Sequence, residues 1–275
     1  MTRIAFQGED GAYSQEAIFQ TFGADTETRA CRTFPDIFRA VENHTADLAM
    51  VPIENSTAGA INQSYDLLLD YDLKITREVI HRVRHALMTV PGIAMDDITR
   101  VYSHPQALAQ CERFIAAQGW EPVTAYDTAG AAKQLAASHE PHAAAIASET
   151  AARMYGLEIL ARGIEDLSNN YTRFFVVGHT ETPRAAQSES KTSLVFATQH
   201  VPGALYQCLG EFATRGINLT KLESRPDRQR AWHYYFYLDF EGHWDDAPWR
   251  EALIGLSSKT SFLKVLGSYP AALTQ

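Results

Sequence analysis

Cysteine is scarce in this chain: Cys31, Cys111 and Cys208 are the only three in 275 residues, and no two stand in a CxxC spacing. An odd, sparse set of this kind excludes a disulfide framework and a thiolate zinc site. HExxH, EF-hand and Walker patterns are also missing. The early glycine turn, Gly8-Glu9-Asp10-Gly11, is GxxG only and falls short of a dinucleotide fingerprint. No window approaches the roughly 18 consecutive apolar residues of a membrane span. Arg3 is followed by no apolar stretch of signal-peptide type, so a cytoplasmic protein is expected. Positive charge is short as well: 24 Lys and Arg stand against 33 Asp and Glu, a formal net charge of −9. That balance argues against nucleic acid or an anionic membrane as partner.

The acidity is uneven. Residues 1–180 carry 14 Lys and Arg against 23 Asp and Glu, which accounts for the whole imbalance, while 181–275 carry ten of each. Length alone predicts about two domains, and this change in composition places a boundary near 181. The pair His81 and His85 has a spacing that could ligate zinc on a helix. Their segment reads as strand, where four residues span about 13 Å, too far for one ion. No metal and no cofactor is therefore expected.

What is present is alternation. Arg3–Phe6 and Asp47–Pro52 read as strands, and Ser14–Phe22, Pro35–Glu42 and Asn62–Asp70 as helices. Leu73–Val90 reads as one or two strands, crossing between lobes. Thr99–Ser103, Pro105–Gln118, Pro122–Tyr126, Thr128–Ser138, Ala143–Ile146 and Ser148–Tyr155 continue as strand and helix in turn, and Thr172–Gly178 closes the region as a strand. Such alternation predicts an α/β sheet with helices on its faces. Residues 182–190, polar and without apolar periodicity, read as a linker. Beyond it come a strand (Thr192–Thr198), a helix (Pro202–Arg215), two strands (Leu219–Ser224 and Trp232–Phe240), a helix (Ala247–Leu256) and a strand (Phe262–Ser268). That order is βαββαβ, the ferredoxin-like split motif. Its small sheet could be extended by a second copy, so an oligomer is expected.

One local pattern recurs: a strand, a polar turn, then a helix start. Examples are Gly11-Ala12-Tyr13-Ser14, Asn55-Ser56-Thr57-Ala58-Gly59, Ser103-His104-Pro105-Gln106 and Asp127-Thr128-Ala129-Gly130. Each is either a plain N-cap or part of an anion site, because helix N-termini present backbone N–H groups and partial positive charge. The densest polar cluster is Ser168-Asn169-Asn170-Tyr171-Thr172-Arg173-Phe174-Phe175, in which Asn170, Thr172 and Arg173 supply donors for a carboxylate and a hydroxyl.

These segments carry a resemblance. Phe6-Gln7-Gly8-Glu9-Asp10-Gly11-Ala12-Tyr13-Ser14, Val51-Pro52-Ile53-Glu54-Asn55-Ser56-Thr57-Ala58-Gly59, Ser103-His104-Pro105-Gln106-Ala107-Leu108 and Asn169-Asn170-Tyr171-Thr172-Arg173-Phe174 resemble the motifs of prephenate dehydratases. Gly203-Ala204-Leu205 and Leu222-Glu223-Ser224-Arg225-Pro226 resemble the phenylalanine-binding motifs of ACT regulatory domains. The resemblance covers about residues 3–270 and begins directly at the dehydratase strand, so a form without a chorismate mutase module is expected.

It implies a two-lobed α/β catalytic domain over 1–181, like type II periplasmic binding proteins. Lobe one would hold about 1–79 plus 174–181, and lobe two about 80–173. A ferredoxin-like ACT domain would follow over 191–275. The implied reaction is the decarboxylating dehydration of prephenate to phenylpyruvate, without a cofactor, in the cleft between the lobes. Arogenate dehydration and non-catalytic solute sensing are the alternatives. Thr172 is the residue the resemblance marks as catalytic. Glu54 either donates a proton, orients a neighbour, or serves as a cap or ion-pair partner. Asn55, Ser56, Thr57, Ser103, Gln106 and Asn170 are hydrogen-bond candidates for the substrate, and His104 is a further, ambiguous one. Arg173 either grips a carboxylate or points out on the other strand face; Phe174 either packs in the core or walls the cleft. Phenylalanine would act as effector between paired copies, in a homodimer or homotetramer, on Gly203, Ala204 and Leu205. Asn218 and Leu219 would lie near it, and Glu223 and Ser224 would cap its edge.

Overall fold

The computed structural model describes residues 2–181 and 189–272, so most of the expected 182–190 linker lies outside the described residues. The chain begins β1 (Arg3–Gln7), α1 (Tyr13–Phe22), β2 (Glu27–Cys31), α2 (Phe34–Glu42), β3 (Leu48–Asn55), β4 (Gly59–Ala60), α3 (Asn62–Asp70), β5 (Lys74–Arg82) and β6 (Ala86–Thr89). It continues β7 (Arg100–Ser103), α4 (Pro105–Gln110), α5 (Glu112–Gln118), β8 (Glu121–Thr124), α6 (Thr128–Ser138), β9 (Ala143–Ala147), α7 (Glu149–Tyr155), β10 (Glu158–Arg162) and β11 (Tyr171–Gly178). The last part is β12 (Ser190–Thr198), α8 (Ala204–Ala213), β13 (Leu219–Pro226), β14 (Tyr234–Glu241), α9 (Ala247–Ser257) and β15 (Thr260–Pro270).

Three sheets result. The first runs β2-β1-β3-β11-β5 with β4 paired to β3, the second β10-β6-β9-β7-β8, and the third β13-β14-β12-β15. In the first, β1 lies parallel to β2 and β3. In the second, β7 lies parallel to β8 and β9, whereas β6 is antiparallel to β9 and β10. Two α/β sheets followed by an antiparallel sheet with the βαββαβ order is the expected architecture. By compactness the chain divides into Met1–Ile61 with Val79–Phe174, and Asn62–Glu78 with Phe175–Gln275. Among the described residues no helix is long and apolar enough to cross a membrane.

Local sequence explains several of the helix starts. Thr33 and Asp36 form a reciprocal capping box on α2, with Pro35 in its first turn and Ile37, Phe38 and Val41 buried. Asp127 and Ser148 cap α6 and α7. The continuous helix expected over Pro105–Gln118 is instead broken at Cys111 into α4 and α5. The cause is a distant loop. The Gln110 carbonyl accepts the Asp166 N–H at 2.7 Å, and Asp166 Oδ2 accepts the Arg113 N–H at 3.3 Å. Those bonds satisfy groups that would otherwise belong to the helix ladder. Two edge strands fall outside the expected elements: β2 lacks an apolar run, with burial confined largely to Cys31, and β10 has only the short, half-buried run Ile159-Leu160-Ala161.

One glycine is required by both conformation and space. Gly11 has φ +87°, and a Cβ there would lie 2.6 Å from Ala151 Cα, a backbone atom at the start of α7. The Ser148 hydroxyl donates to the Gly11 carbonyl at 2.5 Å in the same contact. Gly11→Ala is expected to destabilise the protein by roughly 2–4 kcal/mol, from left-handed strain plus overpacking. A thermal unfolding midpoint equal to that of the parent protein would contradict this.

In the second unit, Leu194, Phe196, Phe212, Leu238, Phe240 and Leu256 form the core between the third sheet and helices α8 and α9. Helix α3 also belongs here. Asp66 pairs with Arg225 at 3.2 Å and with Arg228. Lys264 Nζ donates to the carbonyls of Leu68, Leu69 and Tyr71, which closes the C-terminal end of the helix. Glu78, almost fully buried, pairs with Lys191 at 3.1 Å.

Candidate active site

A cavity of about 460 Å³ opens in the first unit, within the size range of small-molecule sites. Its wall combines the starts of three helices with the ends of central strands. Ala12, Tyr13 and Ser14 come from α1, His104, Gln106 and Ala107 from α4, and Asp127 and Thr128 from α6. Asn55 closes β3, and Thr172 and Phe174 lie on the neighbouring β11. Residues i and i+2 of a strand share a face. Thr172 and Phe174 therefore reach the cavity together, while Arg173 between them is not on its wall. The same alternation separates Asn55 from Glu54, and Arg173 pairs with Glu54 at 3.4 Å.

The polar side chains around Thr172 form a closed circuit whose direction the backbone fixes. Asn55 Oδ1 accepts the Thr57 N–H at 3.0 Å and the Ala58 N–H at 3.1 Å, so that end of the amide is the oxygen. Asn55 Nδ2 then donates to Asn170 Oδ1 at 2.8 Å and to Thr172 Oγ1 at 3.0 Å. Asn170 Nδ2 donates to Gln110 Oε1 at 3.0 Å. Gln110 Nε2 donates to Thr57 Oγ1 at 2.7 Å, and the Thr57 hydroxyl returns its hydrogen to Asn55 Oδ1 at 2.6 Å. Every donor and acceptor around the ring is used in one sense. Thr172 Oγ1 is an acceptor from this ring, and its own hydrogen is left for the cavity.

The other expected residues are placed as follows. The Ser56 hydroxyl donates to the Asn169 carbonyl and accepts the Tyr171 N–H, stitching the end of β3 to the start of β11. Ser103 is fully buried, its hydroxyl given to the Ile146 carbonyl at 2.6 Å; it is not on the cavity wall. His104 caps α4, its Nδ1 accepting the Gln106 N–H at 3.2 Å, and burial pushes its imidazole below the ordinary range. The separated pair His81 and His85 goes to different partners: His81 to Gln20 and Glu16, His85 to Tyr13 and Gln110.

Several wall residues are absent from the expected set, among them Tyr13, His85, Gln110 and Asp127. Asp127 was visible as a helix-starting turn but not as a wall residue. Burial raises its carboxyl above the usual range, against N–H donation from Gly130 and Glu9. Burial likewise lowers His85 and raises Tyr13. No Lys or Arg belongs to the described wall.

In the second unit, Gly203, with φ +80° at the start of α8, lines a shallow groove with Ala204 and Leu205. Asn218, Leu219, Glu223 and Ser224 lie at or on β13 and are not on that groove. Arg225, from the same motif, is bonded to Asp66.

A family model described as prephenate dehydratase matches residues 4–182. An arogenate dehydratase/prephenate dehydratase of Arabidopsis thaliana, a chloroplast protein, is 43% identical over 281 residues, covering 99% of this chain and 74% of its own. Among solved structures, prephenate dehydratase in complex with L-Phe from Arthrobacter aurescens superposes with a TM-score of 0.89 at 31% identity, covering 99% and 93% of the two chains. A structure named GqqA and described as a novel type of quorum quenching acylase gives a TM-score of 0.91 at 38% identity, with 98% of each chain covered.

Proposed function

The chain belongs to the prephenate dehydratase family, and from that premise we infer that it converts prephenate to phenylpyruvate, carbon dioxide and water. The observation that carries this reading is Thr172, held as an acceptor by Asn55 with its hydrogen left for the cavity. The reaction turns a dianion into a monoanion and takes up one proton. The ring carboxylate leaves as carbon dioxide, its electron pair enters the ring, and the hydroxyl departs with a proton as water. Thr172 hydrogen-bonds the departing hydroxyl and directs that proton, as local donors aimed at developing charge do.

Among the described residues the cavity wall has no Lys or Arg, so charge recognition falls to the first-turn amides of α1, α4 and α6 that the His104 and Asp127 caps leave unused, together with the polar side chains of the wall. Asn55, Asn170 and Thr57 hold Thr172 and its neighbours, Gln106 and His104 border the substrate, and Phe174 walls it. Glu54, Arg173, Ser56 and Ser103 hold the strands and turns behind that surface. An acylase would require a base to remove the proton of a hydroxyl nucleophile. Thr172 instead receives a hydrogen bond from an amide, which suits proton donation.

A second reading has support of its own, because the Arabidopsis relative carries both the arogenate and the prephenate name. Side-by-side assay of the two substrates decides. We expect phenylpyruvate from prephenate at a higher kcat/KM than phenylalanine from arogenate. Failure to form phenylpyruvate would overturn the primary reading.

In this reading 1–181 is the catalytic part and 191–275 a regulatory ACT domain, in a cytoplasmic homodimer or homotetramer. Exposed Tyr206, Leu222, Trp232, Tyr234 and Ile254 on the second unit support pairing with another copy. Phenylalanine is the effector, held at the Gly203 turn of one copy and at Asn218, Leu219, Glu223 and Ser224 of the other. Isothermal titration is expected to register phenylalanine binding, with lowered dehydratase rate at saturation. Absence of heat would leave pairing as that domain's role.

A further inference from the structure

The circuit of Asn55, Asn170, Gln110 and Thr57 has one further attachment that the reaction as described does not use. His85, 2% exposed, places its Nε2 2.8 Å from Gln110 Oε1, and its Nδ1 2.7 Å from the Tyr13 hydroxyl. The direction of the circuit decides the proton on this ring. Gln110 Nε2 is committed to Thr57, so the atom facing His85 is the Gln110 oxygen, an acceptor already taking one hydrogen from Asn170. His85 Nε2 must therefore carry hydrogen. In the neutral imidazole Nδ1 is then bare, and it is the Tyr13 hydroxyl that donates to it. Tyr13 has an alternative acceptor in the Arg84 carbonyl at 3.2 Å, so its hydroxyl is held in place whichever way it turns.

We propose that His85 is a positioning residue for the dehydration, with the Tyr13 hydroxyl as the partner that satisfies its Nδ1: the His85 Nε2–H fills the second site on the Gln110 oxygen and so holds Gln110, and through Gln110 the circuit that leaves the Thr172 hydrogen free for substrate. With the proton on Nδ1, a bare Nε2 would face the bare Gln110 oxygen, and the contact would be repulsive. Turning the Gln110 amide to relieve it would place an NH₂ against the Asn170 NH₂ and an oxygen against Thr57. Thr57 would then have to donate to Gln110 and give up Asn55. Asn55 cannot reverse in compensation, because two backbone N–H groups hold its oxygen. The damage would pass to Asn170 and Thr172, which share the Asn55 NH₂.

The charged and titratable groups facing this pair are few. Glu165 Oε2 accepts the His85 backbone N–H at 2.9 Å, and Glu16, His81 and Cys111 lie around Tyr13. Burial is the larger influence on His85 and favours its neutral form, in which the tautomer carries the information.

The inference rests on the dehydratase reading, and the experiment separates the two. ¹⁵N spectra of histidine-labelled full-length protein at pH 7 are expected to show His85 as the neutral Nε2–H tautomer, assigned by comparison with His85→Gln. Tyr13→Phe, which removes the Nδ1 partner but leaves the Gln110 oxygen in place, is expected to keep the Nε2–H tautomer and to shift the Nδ1 resonance. In steady-state assays His85→Leu should lower kcat about 3–10-fold, the effect of one hydrogen bond, with KM within about twofold. His85→Gln, whose amide N–H can reach the same oxygen, should recover most of that loss. A role in packing alone would make the apolar Leu variant at least as good as the Gln variant. An Nδ1–H or cationic His85, or equal kcat in the Leu and Gln variants, overturns the proposal while the dehydratase reading stands. If the parent protein forms no phenylpyruvate, that reading fails, and the tautomer spectra alone decide whether His85 sets the circuit.

Discussion

Thr172→Ala is expected to lower kcat about 10²–10⁴-fold, the usual range for a positioned proton-transfer group, with little change in KM. The direction follows from where the hydroxyl is used. In the proposed binding mode substrate carboxylates are held by helix N-termini, which the substitution does not touch. The Thr172 hydrogen bond strengthens only as the ring hydroxyl becomes water, so its loss falls on the transition state. At about 1.4 kcal/mol per tenfold, the expected loss is about 2.7–5.5 kcal/mol. The folded protein should tolerate the change, because Asn55 Nδ2 keeps two other acceptors, Asn170 Oδ1 and the Tyr171 carbonyl. Thr172→Ser retains the hydroxyl and should recover most of the rate, losing what the methyl group contributes to fixing the rotamer. Stopped-flow or continuous assay of phenylpyruvate release checks both variants. A folded Thr172→Ala protein with near-parental kcat would remove Thr172 from the reaction.

Periodicity and capping made the elements legible where the information is local. The bounds of Asn62–Asp70 and Thr128–Ser138 are legible to the residue, and the βαββαβ order of Ser190–Pro270 follows from apolar spacing alone. The break at Cys111 was not legible, because its cause is Asp166, more than fifty residues away. The site shows the same division. Asn55, Asn170 and Thr172 were identified from motifs, and strand alternation could have told which of Thr172 and Arg173 meets the cavity once Phe174 was known to share a face with one of them. Tyr13 lies in a helix-start turn and His85 in a spaced histidine pair, but nothing local to them or to Gln110 says that the three meet. Gln110 matters because it ends α4 at the point where the helix is interrupted, and His85 because it is buried against both Gln110 and Tyr13. Of the two placements open to Arg173, the structure has the one off the wall, for a related reason. A residue type says what a side chain can bind, whereas the register of the strand says which side it faces. The charge excess of −9 sharpens the point: with Arg173 turned to Glu54, no Lys or Arg among the described residues lines the cavity, and the proposed recognition is left to backbone dipoles.

The second large effect is expected from Asn55→Asp, a change that keeps the shape of the side chain and reverses the chemistry of one end. The oxygen that accepts from Thr57 and Ala58 would be retained. The NH₂ that donates to Asn170, Tyr171 and Thr172 would become a second acceptor facing three acceptors. Asn55 is 6% exposed, so little solvent is available to relieve the conflict. Two outcomes compete. The new carboxyl can stay protonated and donate one hydrogen, at the cost of a strongly raised pKa. Alternatively it ionises, and Thr172 turns its hydrogen away from the cavity to meet it. Either route takes from Thr172 the arrangement that leaves its proton for the substrate, and the second also puts a buried negative charge beside a dianion. We expect kcat/KM to fall about 10²–10⁴-fold, with KM rising as well as kcat falling, unlike Thr172→Ala. Stability should fall by about 2–5 kcal/mol, the scale for a broken buried polar network. At about 2–4 °C per kcal/mol this lowers the unfolding midpoint by roughly 4–20 °C. The pH dependence has a definite sign. The buried carboxyl would have a folded-state pKa above its unfolded value, so relative to the parent the variant loses stability as pH rises through the unfolded pKa and regains it toward acid. Thermal melts of the variant and parent at pH 5 and pH 8 read this directly. A gap in midpoint that does not widen at the higher pH would show that Asn55 Nδ2 is not the donor holding Thr172.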